Sequence, residues 1–280
     1  MKKLKKIKDI SKIKLIIVKC ILFLGQKTLI GRGQIRKRLV NFINYLIGYG
    51  SMKDSRFICK VNNVPFNFYN DKLTFIKFYF GRNENKEIDF IKKNTTNNSV
   101  FIDIGSNMGL YTQNIAHMIN KKTKIKIISI DANPINNFRL RENLKLLKYK
   151  TPNIFSYVKI KNCAVGNHNT LLNLDFSKGL ANGYISKDKK NISVKCVKLL
   201  NIVNKEKLDY ITNLKIDIEG FEDKVLITFF KNCKKKLFPK NIILEHSSKK
   251  EWKYNLLKFL FNYGYKEIFR NKANIILSLT

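Results

Sequence analysis

Histidine is scarce in this chain: three in 280 residues, His117, His168 and His246. None stands three or four residues from another histidine or a glutamate in the way helical metal ligands do, so no histidine-built metal centre is expected. The five cysteines are odd in number and widely separated, with no Cys-x-x-Cys pair. That pattern excludes a cysteine zinc site and fits reduced thiols in a cytoplasmic protein. Acids are few as well, 20 against 55 lysines and arginines, for a formal charge of +35. Such charge ordinarily points to nucleic acid or an anionic membrane. Arginine, however, supplies only 8 of the 55 basic residues. A phosphate reader draws on arginine's planar fork. Lysines spread over the whole chain therefore read as compositional drift, and nucleic acid is not the expected partner. Long apolar runs are missing too. The longest early run, residues 15–24, is interrupted by Lys19 and falls short of the roughly 20 residues that a bilayer requires. No small-x-small cleavage site follows it, so a signal peptide is not expected. A basic amphipathic helix on a membrane surface and a helix packed on the rest of the protein both fit residues 1–25.

What is present is an alternation of strand and helix signals, long enough for one sizeable core. A helical extension, residues 1–55, is followed by a lead-in over 56–98 whose hairpin turns at Asn62-Asn63 and whose helix covers 84–93. From 99 to 280 the pattern predicts a mostly parallel α/β sheet. Its strands are read at 100–104, 125–130, 157–163, 214–218 and 241–245, with helices at 111–120, 134–147, 222–232 and 250–262 between them. Residues 170–200 break the alternation as an inserted hairpin or lid, and 265–277 closes the chain as a hairpin.

The chemistry is concentrated where the strands end. Val100 to Thr112 is an apolar strand that runs through Asp103 into a loop with Gly105, Asn107 and Gly109, then Tyr111. Glycines there let the backbone approach a ligand at the carboxyl end of a strand. The spacing Asp-x-Gly-x-x-x-Gly departs from the dinucleotide fingerprint and points toward S-adenosylmethionine, which has no pyrophosphate to seat. Asp131, at the tip of the second strand before Ala132, Asn133 and Pro134, is placed to accept hydrogen bonds from ribose hydroxyls, while Asn133 serves as a helix cap. Asn162, Cys163 and Ala164 follow the third strand, where an adenine would lie. The block Leu214-Lys215-Ile216-Asp217-Ile218-Glu219-Gly220-Phe221-Glu222 sets Lys215, Asp217 and Glu219 on one side at strand period two. A lysine and acids on a central strand are costly unless paired, so they form either a structural ion pair or working chemistry. Glu245 and His246 end the next apolar strand as candidate proton acceptors.

In this order the motifs resemble the FkbM family of S-adenosylmethionine-dependent methyltransferases, over about residues 57–270. The block Lys215-Ile216-Asp217-Ile218-Glu219-Gly220-Phe221-Glu222 is the most specific piece. Family members typically carry Glu-Pro where this chain has Asp131-Ala132. The resemblance implies a class I, Rossmann-like sheet with a reversed last strand and O-methylation of a hydroxyl on a sugar, glycan or small metabolite. In that frame Asp103, Gly105, Asn107, Gly109, Tyr111, Asp131, Ala132, Asn162, Cys163, Ala164 and Asp217 hold the cofactor. Lys215, Asp217, Glu219 and Glu245 orient the acceptor and take its proton, and no metal is required. Two other readings fit the charge: an RNA 2′-O-methyltransferase using Lys215, Asp217 and Glu245, and a membrane-surface or anionic-polymer binder on a degenerate methyltransferase scaffold.

Overall fold

The computed structural model describes residues 56–69, 84–175, 184–185 and 192–280, together with eight isolated helical positions before residue 43. The membrane-surface segment over 1–25 and the second helical pattern up to Gly50 otherwise lie outside the described residues. The chain divides into two compact units, 1–85 and 86–280. In the first, β1 (Arg56–Val61) and β2 (Val64–Tyr69) pair antiparallel with Val61 opposite Val64. The turn residues Asn62 and Asn63 both have positive φ, 52° and 64°. That is the two-residue hairpin geometry that asparagine tolerates and most side chains do not.

The second unit runs from α1 (Asn85–Lys93) into β3 (Val100–Ile104), α2 (Leu110–Ala116), β4 (Lys126–Asp131), α3 (Pro134–Lys145), the short α4 (Ile154–Tyr157) and β5 (Val158–Asn162). Next come β6 (Ala164–Gly166), β7 (Thr170–Asp175), β8 (Tyr184–Ile185), β9 (Ile192–Lys198) and α5 (Leu199–Lys205). The remainder is β10 (Asn213–Ile216), α6 (Glu222–Asn232), β11 (Asn241–Glu245), α7 (Leu256–Asn262), β12 (Tyr265–Arg270) and β13 (Asn274–Leu279).

The main sheet has the order β12-β13-β11-β10-β3-β4-β5. Strands β11, β10, β3, β4 and β5 are parallel, and β13 is reversed against β11. Strand order runs outward in both directions from β3, so the gap between β3 and β10 is a topological switch point, where open α/β sheets place their ligands. Every residue of β3 and of β11 is buried, as strands covered on both faces must be. Phe230 of α6 anchors one flank, ringed by Phe229, Phe238, Phe259, Tyr263 and Tyr265 with centroids 4.7–6.2 Å away. Strands β7, β8 and β9 of the segment read as an inserted hairpin join β6 in a second, four-stranded sheet, β6-β9-β7-β8.

Several boundaries differ by a few residues from those read in the sequence. Strand β10 stops at Ile216, two residues early, because the chain turns through Glu219 and Gly220, at φ 56° and 99°. Helix α7 covers only the second half of 250–262. Asn255 starts it, its side chain accepting from the Lys258 N–H, the usual use of asparagine at a helix N-terminus. Helix α2 ends at Ala116, short of the expected Asn120. Helix α5 had no clear signal, since Leu199-Leu200 continues the apolar run of β9.

Candidate active site

The parallel register sets the site. Ile104 stands level with Ile130 on one side and Ile216 on the other, and Ile216 with Leu244. One residue further along, Asn162, Asp131, Gly105, Asp217 and Glu245 therefore form a row across the ends of five strands. Sequence-distant candidates meet because each lies one step past the same level of the sheet.

The glycine loop closes on this row. The N–H groups of Gly105 and Ser106 donate to the Ile130 carbonyl at 2.9 and 3.1 Å. Gly105 has φ 73°, and a Cβ there would lie 1.8 Å from the Asp217 carbonyl oxygen, so no other residue fits the crossing. At Gly109, φ 92°, a Cβ would meet Leu140 Cδ1 at 2.3 Å. Asp131 ties the loop to β4. Its Oδ2 accepts from the Asn107 N–H at 2.8 Å, and its Oδ1 from the Asn133 N–H at 2.8 Å and from Asn136 Nδ2 at 3.2 Å. Desolvation pushes the Asp131 carboxyl up to about 6. Asn133 caps α3 by accepting from the Ile135 N–H, so capping and the expected ribose role fall to neighbouring residues. Asn162 is exposed, and its amide donates to the Ala132 carbonyl at 2.9 Å and the Asp131 carbonyl at 3.2 Å, bridging the tips of β4 and β5. Cys163 and Ala164 are half-buried beside it.

Beneath the row lies a charged layer. Asp103 and Lys215 are register partners on β3 and β10. Asp103 is fully buried, with Oδ2 accepting from the Thr112 N–H and Oγ1–H at 3.2 and 2.7 Å. Burial raises its pKa, and Lys215 opposes that rise. The Lys215 ammonium donates to the Gly105 carbonyl at 3.1 Å and to Asp217 Oδ2 at 3.3 Å, and lies 5.3 Å from the centre of the Tyr111 ring. Lys215 thus fastens the loop to β10 and leaves the Asp217 side chain 37% exposed at the crevice.

Glu245 is 8% exposed. Its Oε1 accepts from the Ser247 N–H at 2.8 Å and from the Ser247 hydroxyl. Its Oε2 is buried with no hydrogen-bond partner. Burial, with the negative charges of Asp217, Glu222 and Glu219, pushes the carboxyl up to about 7. Asp103 Oδ1 and Ser106 Oγ are likewise buried and unpartnered. A buried polar atom left without a partner costs about 1–3 kcal/mol, so such atoms beside a crevice mark where a polar ligand fits. Among the described residues no cluster of three His, Cys, Asp or Glu is arranged to hold a metal ion.

The model of the methyltransferase FkbM domain matches residues 103–267. This chain belongs to the FkbM methyltransferase family. Its sheet has the class I form that the resemblance implies, parallel with β13 reversed. Among solved structures it is similar to the methyltransferase FkbM from Methylobacillus flagellatus KT, with 15% identity, 67% of this chain covered and TM-score 0.44. The match spans 44% of that protein's length. It is also similar to the M. jannaschii tRNA m1G37 methyltransferase, with 13% identity over 89% of this chain and 69% of that one and TM-score 0.43. A SAM dependent methyltransferase from Aquifex aeolicus gives 12% identity, 68% and 86% coverage and TM-score 0.39. No curated protein matches this chain.

Some candidate residues of this FkbM-family chain stand differently from their sequence reading. Glu219 does not share a strand face with Lys215 and Asp217: β10 has ended, and Glu219 is an exposed turn residue in the left-handed region. His246 is buried, its Nε2 3.0 Å from the Asn271 carbonyl and its backbone N–H donating to the Ala273 carbonyl at 2.8 Å. Sequence reasoning missed the residues that brace the site. Glu222 accepts from the Ile218 and Gly220 N–H groups at 2.8 and 3.2 Å and from Trp252 Nε1 at 2.8 Å, fixing the Asp217–Phe221 turn. Asn143 donates to the Met108 carbonyl at 2.9 Å from α3. Asn136, Asn137 and Asn143 are buried on that helix, and polar residues on an inward face were the available signal.

Proposed function

We propose that the protein transfers the methyl group of S-adenosylmethionine to a hydroxyl oxygen of a sugar, glycan or related small metabolite. The observation that carries this reading is the Glu245 carboxyl, buried, with Oε2 unpartnered, in the same row as Asp217 and the glycine loop. The residues fit the cofactor. Asp103, Asp131 and Asp217 offer negative charge to a ligand bearing an ammonium and a sulfonium, and Asp103 Oδ1 and Ser106 Oγ are unpartnered beside the cradle. Asp131 would hold the ribose hydroxyls. Gly105 to Gly109 and Tyr111 would line the amino-acid end, and Asn162, Cys163 and Ala164 would border the adenine. The bound cofactor supplies an electrophilic methyl group.

The chain's own residues then do two things. They align the acceptor, which supplies most of the rate in a displacement between held partners. They also take its proton: Glu245 Oε2 would accept the hydroxyl hydrogen as the oxygen–methyl bond forms and the methyl–sulfur bond breaks, its electron pair leaving with the sulfur as a thioether. A carboxyl raised to about 7 is well matched to a base working near neutral pH. Lys215 pairs with the Asp217 carboxylate at the crevice. The test is label transfer from radiolabelled S-adenosylmethionine to glycan acceptors by the wild type and Glu245→Gln. The variant is expected to lose roughly a hundredfold or more in rate while still binding the cofactor. Equal rates in the two proteins would remove Glu245 from the chemistry.

A further inference from the structure

Glu245 is the last residue of β11, and the chain leaving it is fixed on two sides. The His246 N–H donates to the Ala273 carbonyl at 2.8 Å, and the Ser248 carbonyl accepts from the Glu251 N–H at 2.9 Å. Between these anchors stands Ser247, exposed to solvent. Its backbone N–H, at 2.8 Å, and its hydroxyl both donate to Oε1 of Glu245. Nothing donates to Oε2, which is buried. A serine hydroxyl has one hydrogen to give, and at an exposed position water accepts it as readily. Burial therefore does not demand this bond. Two donors on one carboxylate oxygen and none on the other make the two unequal: Oε1 is fixed, and Oε2 remains to receive a hydrogen.

The surroundings act on the carboxyl in the opposite sense. Asp217 beyond the end of β10, Glu219 in the turn after it and Glu222 of α6 bring negative charge toward Glu245, and with burial they push it up to about 7. The Lys215 ammonium is bonded to Asp217 and to the Gly105 carbonyl. On β13 the register partner of Glu245 is Asn274, whose amide donates to Glu87 of α1 at 3.0 Å. The His246 ring meets the Asn271 carbonyl. The Ser247 N–H opposes the rise, and the hydroxyl adds a second donor to the charged form.

Resting on the reading of Glu245 as the base, we propose that Ser247 is its positioning residue: hydroxyl and N–H together clamp Oε1 of the carboxylate and leave Oε2 to take the acceptor's proton. Ser247 acts through Glu245 alone. It determines which oxygen works and, by favouring the ionised form, the pH at which it does so.

The test follows the Glu245 carboxyl in the full chain by NMR, which needs no acceptor. With 13C at the glutamate δ-carbons, the resonance absent from Glu245→Gln belongs to Glu245, and titration from about pH 4 to 9 gives its midpoint. The wild-type midpoint is expected near 7. Ser247→Ala keeps the N–H and removes the hydroxyl, and its midpoint is expected to rise by about one unit, the effect of losing a hydrogen bond to a charged group. Ser247→Thr restores a hydroxyl and is expected to return the wild-type value. Turnover of methyl glycosides of neutral hexoses with radiolabelled S-adenosylmethionine is the second readout: its rise with pH should move with the midpoint across the three proteins. A serine that only closes the turn would lower the melting temperature of Ser247→Ala and leave the midpoint in place. A midpoint unmoved in Ser247→Ala, or moved equally in Ser247→Thr, would overturn the positioning role and leave Glu245 as the base. A wild-type midpoint at the ordinary 4.5 would overturn both. Midpoints that shift as expected, with no label entering the glycosides, would uphold the positioning role and count against the sugar acceptor.

Discussion

Two residues bear most of the argument at the smallest scale, Gly105 and Glu245. Gly105 combines φ 73° with a carbonyl oxygen 1.8 Å from where a Cβ would stand. Gly105→Ala must displace either the loop or the Asp217 backbone. It is expected to cost more than about 2 kcal/mol of stability and to abolish cofactor binding, measured by thermal melting and calorimetry. Glu245 makes a prediction of opposite sign. Its carboxyl is pushed up to about 7 from an ordinary 4.5, so the stability tied to its protonated form is present below pH 4.5 and lost as pH rises through 7. Glu245→Gln should therefore melt higher than the wild type at pH 8, by about 1–3 kcal/mol, with the gain shrinking toward pH 5. The same carboxyl must be ionised to take a proton, so wild-type turnover should rise through pH 7. A variant both more stable and inactive is the usual mark of a group held for function.

At the scale of elements, the turn between β10 and α6 is held from outside by the carboxyl of Glu222. Removing it in Glu222→Ala strands the Ile218 and Gly220 N–H groups and Trp252 Nε1. The expected loss is about 3 kcal/mol in chemical denaturation, against about 1 kcal/mol for Trp252→Phe, which removes a single donor. A loss no greater than that of Trp252→Phe would mean the turn holds itself. Opposite this, Glu87 on α1 accepts from Asn271 and Asn274 at 2.6 and 3.0 Å and so pins the β12–β13 turn against which His246 rests. Neither brace was legible beforehand, because Trp252 lies 30 residues from Glu222, and Asn271 and Asn274 lie 184 and 187 residues from Glu87. Their identities as acids were visible, but which acid would be buried was decided only by the folded chain.

Over the whole molecule, the strands of the sheet were readable because apolar runs of strand length alternate with helical periods and end in acids or glycines, whereas the reversed last strand was implied by the family resemblance. The row of Asn162, Asp131, Gly105, Asp217 and Glu245 follows from those ends once parallel register is assumed. What misled was carrying strand period past a turn, as with Glu219, and reading residues 250–255 as part of the helix that begins at Leu256. Peripheral membrane contact through residues 1–25 is proposed from their lysine and apolar pattern alone. Flotation with anionic liposomes should carry the full chain and not a chain lacking residues 1–25; equal behaviour of the two would refute it. Among the described residues no helix is long and apolar enough to cross a membrane.

The central claim, that this row of strand ends holds S-adenosylmethionine, is tested most directly by calorimetric titration of the cofactor into the wild type, Asp103→Ala and Asp131→Ala. Saturable binding to the wild type, weakened roughly tenfold or more in both variants as charge-assisted hydrogen bonds are lost, is the expected result. Undiminished binding in both variants, or none to the wild type, would contradict it.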